Sequence, residues 1–316
     1  MAKLADQSRL FLDGESRADI ERVAQPGTWS FEVRAREVRM TYAEYLAGNK
    51  VILTAATTGG IHGKEANPNV PEQPEEIARQ ARECEKLGAA IVHVHGRDKH
   101  GENSAAHLQA VDDAIADRCD DIIVQNTTGG QTPYEDRVQG IRTDPVPEMA
   151  SLDLGPFNRG RHLTTSHTRH NVERLAREMQ ENGIKPELEV FNNGHLNELH
   201  NLVETGVLEK PYYVNLVFGR GTFAIPTPEN VLNAVHNLPE DSIFSVLATG
   251  PHQLPLTTQS VLLGGHVRVG LEDNLYYRRD EPATGNPQLV KRTAEIVRLL
   301  DRELASPDEV RDLLGM

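Results

Sequence analysis

Cysteine is scarce in this 316-residue chain. Cys84 and Cys119 are the only two, and neither sits in a Cys-x-x-Cys pair or near a histidine cluster. That excludes a disulfide framework and leaves two small, partly buried thiols as the plain reading. Without disulfides the expected setting is reducing and cytoplasmic. Long apolar runs are missing too. None reaches the roughly 18 residues of a membrane span. The opening MAKLADQSRLFLDGESRAD has early acids and no apolar core, so it does not read as a secretory signal. Positive charge is short: 33 Lys and Arg stand against 47 Asp and Glu, a formal net charge of -14. Such a balance lacks the basic face that a phosphate backbone needs, which excludes nucleic acid as a partner but not a local basic pocket. Aromatic residues are few, and the one tryptophan, Trp29, falls in a polar, charge-mixed stretch with no period.

That stretch, residues 1–48, reads as an N-terminal extension. From residue 49 the texture changes. Short apolar runs alternate with amphipathic stretches: VILTAA (51–56), AAIVHVH (89–95), DIIVQN (121–126), MASLDL (149–154), ELEVFN (187–192), YYVNLVF (212–218), SIFSVLA (242–248) and HVRVGL (266–271). Near-continuous apolar runs of this length suit parallel strands buried on both faces. The stretches between them carry helix signals. Pro74 opens one and Gly88 closes it, and Thr227-Pro228 opens another. The stretch after Asn286-Pro287 should set Leu289, Val290, Ile296, Val297, Leu299 and Leu300 on one face. Ser306 and Glu309 form a capping box. Eight β/α units predict an α/β fold, a (β/α)8 TIM barrel over residues 49–316. An open doubly wound sheet is the alternative, but TTGGIHG after the first run lacks the G-x-G-x-x-G spacing of a dinucleotide site.

The sharpest local motif is IVHVHGRD. His93 and His95 are two apart on an apolar strand, so both imidazoles point to one face. They are candidate zinc ligands at the functional end of a barrel, or simply two hydrogen-bonded histidines. GGHVRVGLEDN at the eighth run places Arg268, Glu272 and Asp273 together. In a closed barrel this segment comes near the histidine strand, so Glu272 can be a third ligand. Two histidines and one carboxylate leave a coordination position open. An exposed acidic loop with a nearby arginine is the plainer alternative. TTGG occurs at Thr57–Gly60 and at Thr127–Gly130. Such turns can hold a carboxylate or developing oxyanion, or can be ordinary tight-turn chemistry.

Eight stretches taken in order resemble the β-keto acid cleavage enzyme family, which includes the 3-keto-5-aminohexanoate enzymes. They are LTAATTGG, ANPNVPEQPEEIA, AAIVHVHGRD, IIVQNTTGG, PEMASLDLG, KPELEVFNNGH, GGHVRVGLEDN and SPDEVRDLLG, over about residues 50–316. The resemblance implies a zinc-dependent barrel enzyme, homo-oligomeric and tetrameric, that combines a β-keto acid with acetyl-CoA and releases acetoacetate and a new CoA ester. It implies His93, His95 and Glu272 as metal ligands. It ties Arg268 and Asp273 to catalysis, and Thr127, Gly130 and Ser151 to substrate binding. This chain also departs from the family. Ile61 stands where the aminohexanoate-specific enzymes carry a glutamate that would meet an ammonium group. Gly250-Pro251 replaces the usual Gly-Arg.

Two other readings fit parts of the pattern. Amidohydrolase-type zinc hydrolases also use H-x-H on a barrel strand, but on strand one, with more histidines on strands five and six. Here only His195, after the fifth run, is a candidate. A non-catalytic metabolite-binding protein is the other. Formation of acetoacetate from acetyl-CoA separates all three.

Overall fold

The computed structural model describes residues 48–130, 133–159, 164–219, 221 and 223–316. Residues 1–47, with Trp29 and nearly all of the expected extension, lie outside the described residues. Eight parallel strands close into a barrel. They are β1 (Leu53–Ala56), β2 (Ile91–Val94), β3 (Ile123–Asn126), β4 (Met149–Asp153), β5 (Lys185–Val190), β6 (Tyr212–Phe218), β7 (Ser242–Ala248) and β8 (His266–Val269). Closure is seen at β1, which pairs with β2 on one side and β8 on the other, with Ala56 beside His93 and Thr54 beside Arg268. Each expected apolar run holds a barrel strand: β6 and β7 match their runs end to end, β5 starts two residues before its run, and the other five are shorter than theirs. Two short antiparallel pairs sit outside the barrel, Phe157–Asn158 with Thr164–Thr165 and Tyr276–Arg278 with Glu281–Pro282.

Helices follow the strands: α1 (Pro74–Lys86), α2 (Leu108–Arg118), the single turn α3 (Tyr134–Arg137), α4 (Arg169–Glu181), α5 (Asn193–Glu204), α6 (Pro228–His236), α7 (Gln253–Leu262) and α8 (Asn286–Leu299). A ninth, α9 (Pro307–Leu314), ends the chain. Their starts obey the capping chemistry of the sequence. The Thr227 side chain accepts from the Asn230 N–H, and Ser306 and Glu309 form the reciprocal box. One expectation fails. Leu289, Val290 and Val297 of α8 are buried, but Leu299 is 82% exposed. At about 100° per residue, nine residues carry Leu299 roughly 180° around from Val290, onto the solvent face.

The core between strands and helices has two main bodies. One gathers Leu152, Leu188, Leu216 and their helix partners, the other Leu53, Val92, Val267 and Val290. Inside the barrel the base is apolar, with Ile52, Ile91, Ile123, Met149 and Tyr213 covered by Val310 and Leu314 of α9. Toward the carboxyl ends of the strands the interior turns polar. His93, Gln125, Ser151, Asp153, Glu187, Glu189, Asn215 and Arg268 are all buried there. Burying so many polar groups costs stability unless each is paired, so the top of the barrel is where function belongs.

Candidate active site

His93 lies in β2 and His95 one residue beyond it, so both rings enter the barrel mouth from one strand, 5.4 Å apart at their centroids. The Nδ1 of His93 is 2.8 Å from Oε1 of Gln125 on β3. The Nδ1 of His95 is 3.1 Å from Oδ1 of Asn103. An amide oxygen only accepts, so each Nδ1 carries the proton and each Nε2 keeps its lone pair. Those two Nε2 atoms face the Glu272 carboxylate at 3.6 and 3.4 Å. Burial, then the Arg268 charge, pushes the His93 pKa down to about 3, so its ring is neutral.

These three residues form a cluster whose ligand atoms all lie within 4.8 Å of one another. Its chemistry fits a divalent metal such as zinc. Two donors about 2.0–2.1 Å from one tetrahedral zinc stand about 3.3 Å apart, close to the separations seen here. The Oε2 of Glu272 is buried with no hydrogen-bond partner, an orphaned acceptor that a cation would satisfy. Glu272 reaches this place because β8 pairs with β1 and the following turn folds back over the barrel, where Glu272 N donates to the Ala56 carbonyl. Gly59 lies directly beneath it. A Cβ there would come within 2.7 Å of Glu272 Cγ.

Arg268 organises the charges. Its guanidinium donates to Glu272 Oε1 at 2.7 Å, to Asp273 Oδ2 at 3.1 Å and to Glu189 Oε1 at 3.4 Å, with Glu187 Oε2 at 3.7 Å. Burial opposes its charge, but Asp273, Glu272, Glu189 and Glu187 together hold its pKa well above the usual value. The carboxylates divide accordingly. Burial opposes the ionisation of Glu272, yet Arg268 and the two histidines hold its pKa well below the usual range. Burial raises Asp273 to about 6 despite Arg268. Asp273 therefore stays mostly ionised at neutral pH. Burial raises Glu187 to about 7, and burial with the Asp153 charge raises Glu189 further.

The second TTGG turn sits on the next part of the rim. The Thr127 hydroxyl accepts from Gly129 N at 3.0 Å, and Ser151 Oγ accepts from Thr128 N at 3.2 Å. Gly130 has a φ of +79°, and a Cβ on it would lie 3.0 Å from Nδ2 of Asn103, the residue that orients His95. The structure thus brings Thr127, Gly130 and Ser151 to the same mouth as the histidines. The first TTGG turn reads as a braced support. Arg97 Nε donates to Thr58 Oγ1, and its Nη2 donates to the carbonyls of Gly59 and His62. Ile61, just beyond this turn, is half exposed at the rim. Pro251 lies in a single helical turn whose Gly250 N donates to the Asp273 carbonyl, so that segment supports the Asp273 backbone.

His195 does not join the cluster. It packs on Phe157 and Phe191 with Nε2 3.4 Å from the Pro156 carbonyl. The extra histidines that an amidohydrolase-type site needs are absent from the cluster among the described residues. Sequence reasoning missed Gln125, Asn103, Asp153, Glu187 and Glu189. A signal for two of these was present: E-L-E in β5 is the same i, i+2 pattern as H-x-H, two acids on the inner face of an apolar strand.

A closed barrel whose mouth holds a two-histidine, one-glutamate donor set beside a buried arginine and aspartate has the frame of a barrel enzyme with a metal-ready centre. Comparison with known proteins narrows this class. The model of the beta-keto acid cleavage enzyme family matches residues 50–316, and the chain belongs to that family. It is 36% identical over 272 residues to a 3-keto-5-aminohexanoate cleavage enzyme of Acetoanaerobium sticklandii, covering 84% of this chain and 98% of that protein. It is 32% identical to a 3-dehydrocarnitine:acetyl-CoA trimethylamine transferase of Rhizobium meliloti, covering 84% and 97%. Among solved structures, apo ObcA superposes with a TM-score of 0.65 at 20% identity, over 78% of this chain and 66% of that longer one, a likeness of fold.

Proposed function

We propose that this enzyme is zinc-dependent and exchanges acyl groups between a β-keto acid and acetyl-CoA, giving acetoacetate and a new CoA ester. The observation that carries the reading is the His93, His95 and Glu272 cluster set against the Arg268–Asp273 pair. The names of the two relatives, a cleavage enzyme and an acetyl-CoA transferase, support the substrate classes.

Bound zinc would polarise the ketone and carboxylate oxygens of the keto acid. The chain's own groups do the rest. The carbon between ketone and carboxylate must become a nucleophile, so its proton has to leave. Asp273 is the general base: it is ionised at neutral pH and its pKa, raised to about 6, makes it a better base than an ordinary aspartate. Arg268 fixes the Asp273 carboxylate and stabilises negative charge that develops beside it. The deprotonated carbon takes the acetyl group, and CoA leaves as its thiolate. The thiolate then takes the original acyl group as the old carbon–carbon bond breaks, and the protonated Asp273 returns its proton to the carbanion left behind, giving acetoacetate and restoring the base. Thr127, Gly130 and Ser151, on the rim beyond the metal cluster, would bind the part of the substrate that extends away from it. Neither thiol of the chain takes part. Burial raises the pKa of both Cys84 and Cys119 and keeps them protonated.

Chelation tests this reading. The metal-stripped enzyme should make no acetoacetate from acetyl-CoA and any of a panel of β-keto acids, and zinc should restore it. Full activity after complete zinc removal would overturn it.

A further inference from the structure

The mouth of the barrel carries a second cationic group that the reaction above does not use. Arg159 lies just after β4, with a side chain 16% exposed. It is held by its Nε, which donates to Thr165 Oγ1 at 2.9 Å, and by Phe157, whose ring lies 5.4 Å from its guanidinium carbon. Its two terminal nitrogens lie over the Thr127–Gly130 turn. A Cβ on Gly129 would come 3.0 Å from Nη2, and one on Gly130 3.4 Å from Nη1. Two glycines under a guanidinium leave open the space that side chains would fill, and a small ligand can reach the arginine there.

This site is continuous with the metal cluster. The Gly130 Cβ position also touches Asn103, which binds His95. On the other side Arg159 faces Asp153, Asp153 is in register with Glu189, and Glu189 meets Arg268. Arg159 therefore stands across the same mouth from the groups that would hold the keto acid end.

Neutralising Asp153 does not account for Arg159. Arg137 already meets Asp153 at 3.3 Å, with both side chains 1% exposed, whereas Arg159 is at 3.8 Å. Two guanidinium groups thus share one aspartate. Burial and the Asp153 charge raise the Glu189 pKa well above its usual value. Two guanidinium groups set against the one carboxylate of Asp153 leave one unit of positive charge within this trio. Ile61, next to Gly60 whose Cβ position also meets Asn103, presents a half-exposed apolar side chain.

We infer that Arg159 is a specificity-determining residue that selects β-keto acids whose distal end carries a second carboxylate. The inference rests on the proposed acyl exchange for the keto acid end, and it adds the distal end. An arginine fork matches a carboxylate in two parallel hydrogen bonds, which a lysine cannot reproduce.

The test compares two β-keto acids of equal length, one ending in a carboxylate and one in its primary amide. The zinc-loaded enzyme should favour the carboxylate in kcat/KM by about 10- to 100-fold, the usual value of a charged hydrogen-bonded pair. Arg159→Met should bring that ratio near one through loss on the acid, with the amide changed by less than about threefold. Arg159→Lys should retain part of the preference. A wild-type preference for the amide, or an unchanged ratio in Arg159→Met, would overturn the inference. Calorimetric binding of the same two acids without acetyl-CoA separates it from the underlying reading. If no keto acid is turned over, yet only the carboxylate-ended acid binds more weakly to Arg159→Met, then the acyl-exchange reading fails and Arg159 keeps its role. Equal binding of that acid to wild type and Arg159→Met removes the role.

Discussion

One guanidinium, that of Arg268, touches Glu187, Glu189, Glu272 and Asp273. Four carboxyls largely shielded from water around one cation resist being charged together, and the separation of their pKa values is what makes the set useful. Glu272 stays an anion and can bind metal, while Asp273 sits where it can accept a proton. Asp273→Asn keeps the shape and the contact with Arg268 but removes the basic oxygen. It should lower kcat by about 10²–10⁴-fold, with zinc content unchanged by metal analysis. Near wild-type kcat would move the base elsewhere. Gln125 holds His93 in the tautomer that leaves Nε2 free. Gln125→Leu should weaken zinc binding by about 10–100-fold in a chelator competition, without loss of the fold. The ligand candidates were legible in the sequence because H-x-H and R-V-G-L-E-D-N each place their chemistry within a few residues. Gln125 and Asn103 were not, because their role depends on which strands become neighbours.

The elements show the same division. The eight apolar runs were legible because a strand buried on both faces must be apolar almost throughout. The inner-face acids of β5 were overlooked since E-L-E-V reads as an ordinary alternating strand until its neighbours make that face the barrel interior. Leu299 was misplaced because a list of apolar residues in α8 was read as one stripe, whereas helical rotation carries its last members around the axis. The turn after β1 matters for what it omits. Gly59→Ala would push a methyl group to 2.7 Å from Glu272 Cγ, on a backbone that Arg97 clamps. It should displace Glu272, reducing zinc affinity at least about tenfold while thermal unfolding changes little. Zinc affinity equal to wild type would mean that the turn yields and Glu272 stays in place.

At the scale of the whole molecule, the two ends of the barrel do different work. The base is a stability device. Arg302 donates to the carbonyls of Asn49, Val261 and Gly265, and the Ile52 N–H donates to Nδ1 of His266 at 3.0 Å. Burial, helped by Arg302, pushes His266 from its ordinary value of 6.5 down to about 3. The folded state therefore favours the neutral ring. That contribution is complete above pH 6.5 and is lost as pH falls from 6.5 toward 3, by about 1.4 kcal/mol per pH unit. His266→Gln cannot take up the proton, so denaturant unfolding between pH 6.5 and 4.5 should show a shallower loss of stability than wild type. Parallel pH curves for the two proteins would exclude His266 as a contributor. The mouth, by contrast, gathers the charged groups where β-strand ends and turns meet, and it is there that the family's chemistry belongs.

The central claim is that the acetyl group of acetyl-CoA leaves CoA and is joined to the carboxylate-bearing carbon of the keto acid. Acetyl-CoA labelled with carbon-13 in both acetyl carbons, incubated with the zinc-loaded enzyme and an unlabelled β-keto acid, reads this directly by mass spectrometry. The account predicts acetoacetate heavier by two mass units and an unlabelled new CoA ester in equal amount. Labelled free acetate with no new CoA ester, or label retained on CoA, would contradict it.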